Sequence, residues 1–78
     1  MTKEKKYTIS RNHGEYATGI YETRIHALQV WWEFVQENFT IEEIQEILAN
    51  DGLSYGSVTL EQIYERVYID AQVMEVYI

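Results

Sequence analysis

The chain has no cysteine and no proline, only four glycines in 78 residues, and a single positive charge after residue 25. Without cysteine it can form neither a disulfide nor a thiolate metal site, and nothing ties it to an oxidising compartment. It also lacks any Gly/Ser linker or low-complexity tract, so no internal boundary is expected. Residues 1–78 are read as one domain, with 1–5 as a loose leader. Long apolar runs are missing too. None exceeds three residues, as in Val30-Trp31-Trp32, far short of the roughly 20 residues that a membrane span needs. The start, MTKEKKYTIS, has no apolar stretch after its lysines and does not read as a signal peptide. A cytoplasmic location without membrane association is the expectation. A chain of this length buries only about 60% of its unfolded surface, so the core is marginal.

The net charge is −7, and it is unevenly placed. Residues 1–25 carry Lys3, Lys5, Lys6, Arg11 and Arg24 against three glutamates, a net of +2. Residues 26–78 carry ten acids against Arg66 alone, a net of −9. A nucleic-acid binder shows the opposite field, so direct nucleic-acid binding is not expected. Seven tyrosines are a second excess. Tyrosine suits interfaces, offering an apolar body with a polar tip, and it also suits strands.

Strict alternation in KKYTIS and EYATGIYE, separated by RNHG, predicts a β-hairpin. Asn12 and Gly14 can take positive φ in the turn. Gly19 within the second strand marks a bulge or a close backbone approach. The segment TRIHALQVWWEFVQEN predicts a helix with Thr23 as N-cap. His26, Gln29, Glu33, Gln36 and Glu37 fall on one polar arc. Ile25, Ala27, Leu28, Val30, Trp31, Trp32, Phe34 and Val35 cover the rest, with Trp31 and Val35 near its middle. So wide an apolar arc requires contact with both the sheet and another helix.

FTIEEI and VTLEQI begin alike. Thr40 with Glu43, and Thr59 with Gln62, each form a capping box; Phe39 with Ile44, and Val58 with Ile63, are placed as staples. NDGL predicts a stop, with Gly52 in the left-handed conformation and Leu53 turned back on Leu48. The third helix keeps its stripe (Leu60, Ile63, Tyr64, Val67) in phase through Tyr68. A switch to a strand is expected at about Gln72, because QVMEVYI is rich in β-branched and aromatic residues. The alternative is one continuous helix to Ile78. The strand is preferred because a lone hairpin is only marginally stable. The expected fold is α+β, ββαααβ, with helices on one face of a small antiparallel sheet.

Catalytic chemistry finds little support. His13 belongs to the turn. His26 stands four residues after Glu22, but no third ligand accompanies them, so no metal site is expected. Ser54 and Ser57, in GLSYGSV, have no marked base, and that loop lacks the lysine of a phosphate loop. Trp31 and Trp32 read as core rather than as a platform for bases. No catalytic residue and no cofactor is assigned.

What stands out is unopposed acid. Surface helices usually interleave Glu with Lys. Here Glu33/Glu37 and Glu42/Glu46 are like-charge pairs four apart. The helix dipole accounts for Glu42 and Glu43, but not for the others. Two acidic helices can present carboxylates at a spacing approaching that of phosphates along DNA. In size, acidity and tyrosine content the chain resembles, in general type, the small phage and mobile-element inhibitors known as anti-CRISPR and antirestriction proteins. The expected function is therefore a non-enzymatic binder that occupies a basic, nucleic-acid-binding groove of a host protein. Glu33, Glu37, Glu42, Glu43, Glu46, Asp51, Tyr55, Glu61 and Glu65 would make the contact. The alternative is a generic interaction or structural subunit, homodimeric, using the hairpin or the edge of the Trp-rich helix.

The capping boxes give a direct test. Thr40→Ala and Thr59→Ala should each destabilise the fold by about 1 kcal/mol through the lost capping bond. Urea unfolding of both variants would measure this.

Overall fold

The alternating segments form two antiparallel strands, β1 (Lys5–Arg11) and β2 (Tyr16–Tyr21). The structure is a computed structural model and describes residues 3–11, 14 and 16–78. Asn12 and His13 of the expected turn lie outside these. Gly14 has φ +89°, and its N–H donates to the Arg11 carbonyl at 3.1 Å. Within the stretch 1–5, Lys5 opens β1, and Glu4 exchanges both backbone hydrogen bonds with Ile78.

Gly19 is both a bulge and a close approach. The register shifts between the Tyr7–Tyr21 and Ile9–Thr18 pairs, which leaves Gly19 and Ile20 together opposite Thr8. Gly19 has φ +70°, and a Cβ there would stand 2.5 Å from the Tyr21 hydroxyl oxygen. Only glycine satisfies both demands. The Thr8 hydroxyl donates to the Gly19 carbonyl at 2.6 Å and steadies the bulge.

Helix α1 (Arg24–Asn38) starts at Thr23, whose side chain accepts the His26 N–H at 3.2 Å. Its apolar arc faces all three strands and the third helix. Trp31 and Val35 are fully buried, as their central positions require. Ile25 departs from expectation, at 54% exposed. It lies about 120° around the helix from Trp31, at the limit of the arc.

Helix α2 (Ile41–Asn50) and the short α3 (Leu60–Tyr64) both open with complete capping boxes. At the end of α2, Gly52 has φ +73°. Its N–H donates to Ala49 at 3.0 Å, and that of Leu53 to Leu48 at 2.9 Å. This pair of bonds is a Schellman stop. A single 3-10 turn, Tyr55–Ser57, links α2 to α3.

Helix α3 is shorter than its stripe suggested. The Arg66 and Val67 amides both turn back to the Ile63 carbonyl, at 3.0 and 2.9 Å, and the helix closes. Val67 still reaches the core, whereas Tyr68 is 83% exposed. The chain must reverse here to place β3 (Ala71–Tyr77) antiparallel to β1. The tail is thus a strand, begun one residue before Gln72, and not a continued helix.

The sheet order is β2-β1-β3, antiparallel throughout, in an α+β fold. Ile9 from the central strand, with Ala71 and Val73 from β3, faces the helices. They join Leu28, Trp31, Val35, Ile44, Leu48 and Ile63 in one cluster, the six helical residues that centre the apolar stripes. The Cα positions extend 46 × 24 × 16 Å. Packed layers stand about 10 Å apart, so the thickness accommodates one sheet and one layer of helices. Among the described residues, no helix packs on the far face of the sheet, where Thr8 is nevertheless buried between its strand neighbours.

Ile44 and Leu48 are completely buried. Ile44→Ala or Leu48→Ala should cost about 2–5 kcal/mol, a large share of the stability of so small a domain. Thermal melts followed by circular dichroism should show a pronounced drop for both.

Candidate partner-binding surfaces

The ion pairs of the described residues join the sheet, the start of α1, the end of α2 and the segment around α3. Lys5 meets Glu75 at 3.4 Å, and Lys6 meets Glu22 at 3.0 Å and Glu4 at 3.2 Å. Arg24, at the start of α1, grips Glu61 of α3 in a fork, with Nε at 2.9 Å and Nη2 at 2.6 Å. Arg66 holds Asp51 at 2.7 Å and Glu65 at 3.5 Å. Arg11 stacks over the Phe34 ring at 4.4 Å.

The nine residues singled out from the sequence therefore divide. Glu61, Asp51 and Glu65 have their charge met by an arginine. Tyr55 is half-buried, its ring 6.2 Å from that of Trp32, and it helps seat the segment after α2. Glu43 is exposed, and its carboxylate accepts the Thr40 N–H at 3.0 Å in the capping box. Glu33 and Glu37 on α1, with Glu42 and Glu46 on α2, are exposed and form no ion pair among the described residues. Each pair projects from one face of its helix, a single turn apart.

The uncovered sheet face has a different character. Alternation opposite the buried Ile9 places Lys6, Thr8 and Ser10 there, across from Val76, Met74 and Gln72. Ile20, at the bulge, and Ile78, past the end of β3, extend this face. Ile20, Met74 and Ile78 are among the large apolar side chains left exposed. Sequence reading treated these residues as strand formers only, because periodicity does not say which sheet face lacks a cover.

The outer edge of β3 is a third feature that the sequence did not disclose. Glu4 and Ile78 exchange bonds, so residues 72, 74, 76 and 78 bond to β1. Residues 71, 73, 75 and 77 then point their N–H and C=O groups outward. Two of these groups are occupied. The Trp31 Nε1–H donates to the Ala71 carbonyl at 2.9 Å, and the Val73 N–H donates to the Tyr64 hydroxyl at 3.0 Å. The two rings meet edge-on, with centroids 4.9 Å apart. Arg24 lies over Tyr64 at 5.5 Å. Beside them, Trp31, Tyr64, Val67 and Ile69 help line a cavity of about 100 Å³, well below the size of a small-molecule site. Among the described residues, no group of His, Cys, Asp or Glu is placed to hold a metal ion. Among the described residues, no helix is long and apolar enough to cross a membrane.

The Arg24–Glu61 fork has a pH signature. The hydrogen bond from Arg24 holds the Glu61 carboxyl below the ordinary value of 4.5. A carboxyl whose pKa is lower folded than unfolded stabilises the fold above its unfolded pKa; that contribution is lost as pH falls through the folded one. Both side chains remain over a third exposed, so the pair is worth less than about 1 kcal/mol. Glu61→Gln should therefore lower stability slightly at neutral pH and match the parent in acid. Urea titrations across the range below pH 5 would show the two curves converging.

No family model matches the chain, and no curated protein or solved structure matches it either.

Proposed function

We propose that this protein is a non-enzymatic binder that uses the acidic face of α1 and α2 to occupy a basic, nucleic-acid-binding groove on another protein. One observation carries this reading. The side chains of Lys5, Lys6, Arg24 and Arg66 are spent on local partners, while Glu33, Glu37, Glu42 and Glu46 form no ion pair among the described residues and stand exposed. Carboxylates one turn apart rise about 6 Å along a helix. Phosphates repeat about every 3.4 Å along one DNA strand. Two acidic helices that follow one another in the chain thus offer charge at a density that an arginine- and lysine-lined groove is built to meet. A partner of that kind would be steered in by long-range attraction and held in a salt-sensitive manner. Inhibition of the partner follows from occupancy, since nucleic acid and this protein would compete for the same groove.

A second reading draws support from the uncovered sheet face. Ile20, Met74, Val76 and Ile78 suit an interaction or structural subunit that docks through apolar contact. The two readings differ in the sign of their salt dependence.

Glu42→Lys with Glu46→Lys provides the test. Reversal removes a like-charge pair but loses a favourable charge from the first turn of α2, so the fold should remain intact with a small net change in stability. Binding to a partner recovered from lysate should weaken by several kcal/mol, because like charges would then face each other across the interface. Affinity of parent and double variant, at low and high salt, is the measurement. Equal affinities without salt dependence would end the acidic-face reading.

A further inference from the structure

The outer edge of β3 carries a pattern of unused hydrogen-bonding groups that is complementary to itself. Trp31 and Tyr64 close this edge at Ala71 and Val73. Beyond them, Glu75 and Tyr77 each point an N–H and a C=O outward, with no bond to any described group. Buried or paired backbone is the rule, and an open edge invites another strand.

From this geometry we infer that two copies of the chain associate edge to edge through the end of β3, about a two-fold axis at Val76. In that register Glu75 of one copy lies opposite Tyr77 of the other, and each such pair exchanges both backbone bonds. Four hydrogen bonds form, and on each edge the four outward groups of Glu75 and Tyr77 are all used. The Val73 N–H, already given to Tyr64, is not required. A strand of another protein could satisfy the same backbone groups. The side chains favour a second copy.

On the uncovered face, Val76 meets its own symmetry mate as a closely spaced non-hydrogen-bonded pair. Met74 meets Ile78 on either side. The exposed Met74 and Ile78 would thereby gain apolar neighbours in one row with Val76. On the opposite face Glu75 faces Tyr77, which is 60% exposed in the single chain. The alternative axis, at Glu75, would bring two carboxylates directly opposite each other, which is unfavourable. The result is an isologous dimer with one continuous six-stranded sheet.

Sedimentation equilibrium of the purified chain tests this. The expected mass rises with concentration from 9.3 kDa toward twice that value. Each chain has a net charge of −7, so added salt should favour the dimer by screening repulsion. That is the opposite of the salt effect expected for the acidic face. Two variants interrupt the joint at different points. Glu75→Pro removes an N–H that points away from β1, leaving the internal ladder whole. Val76→Glu sets two like charges against each other at the axis, yet within its own chain places the new side chain beside Lys6. Both should stay at the monomer mass. A third variant, Val76→Cys, reports the register. The chain has no cysteine, and the close pairing at the axis suits a disulfide. Mild oxidation should link Val76→Cys chains rapidly and Gln72→Cys chains slowly. A parent that remains monomeric at all concentrations, as expected if the edge serves another protein's strand, would overturn the inference. So would a dimer that persists in both Glu75→Pro and Val76→Glu, or equal linking rates at positions 72 and 76.

Discussion

An indole in a protein core must find an acceptor for its N–H, and much of this fold follows from where Trp31 finds one. The side chain is almost fully buried and donates to the Ala71 carbonyl at the start of β3. That single bond ties the longest helix to a strand forty residues further along. Leaving the donor unpaired would cost about 1–3 kcal/mol, so helix and strand are held at one spacing. Tyr64 packs edge-on against the indole and accepts the Val73 N–H. Arg24 and Glu61 then clamp α3 to the start of α1. A helix of five residues is too short to persist alone; here it is fixed at its start by a capping box, at its middle by Ile63 and at its end by Tyr64.

How much of this was legible in the sequence depended on the range of each interaction. The capping boxes at Thr40 and Thr59, the stop at Gly52 and the N-cap at Thr23 each involve residues a few positions apart, and all form as read. The six core residues were legible because they centre helical stripes, which report burial without naming the neighbour. Gly19 could be read as a bulge or a close approach, and it is both. The end of α3 was not legible. Val67 continues the stripe while the chain leaves the helix, because burial and helicity separate once a strand has to be laid down. The bonds from Trp31 and Tyr64 to β3 join distant segments, and no local pattern announces them. The acidic residues could be listed from sequence, but not which of them meet an arginine. Asp51, Glu61 and Glu65 do; Glu33, Glu37, Glu42 and Glu46 do not.

The molecule thus sorts its surface by chemistry. Charges of both signs are interleaved around the sheet, the start of α1 and the segment after α3, negative charge alone lies on α1 past Arg24 and on α2, and Ile20, Met74 and Ile78 lie exposed on the far sheet face. Sorting of this kind costs little in stability, since exposed pairs contribute little in either direction. It allows one small domain to carry separate surfaces without one obscuring another. Tyrosine serves several of these regions: Tyr21 packs beside His26, Tyr64 supports the strand edge, and Tyr77 stands at the open end of β3.

The sheet order has a consequence for how the chain reaches its native state. β1 is the central strand, and its partners lie at opposite extremes of sequence distance. The hairpin with β2 can close locally within microseconds. The other ladder joins residues 5–11 to residues 71–77, so it cannot zip until every helix has been made. On the ribosome, the hairpin must therefore wait as an exposed two-stranded ribbon, and such a ribbon is unstable in isolation. Folding should be completed only after synthesis has passed β3, in one late step whose rate is limited by that long-range pairing. No prolyl bond is present to add a slower phase.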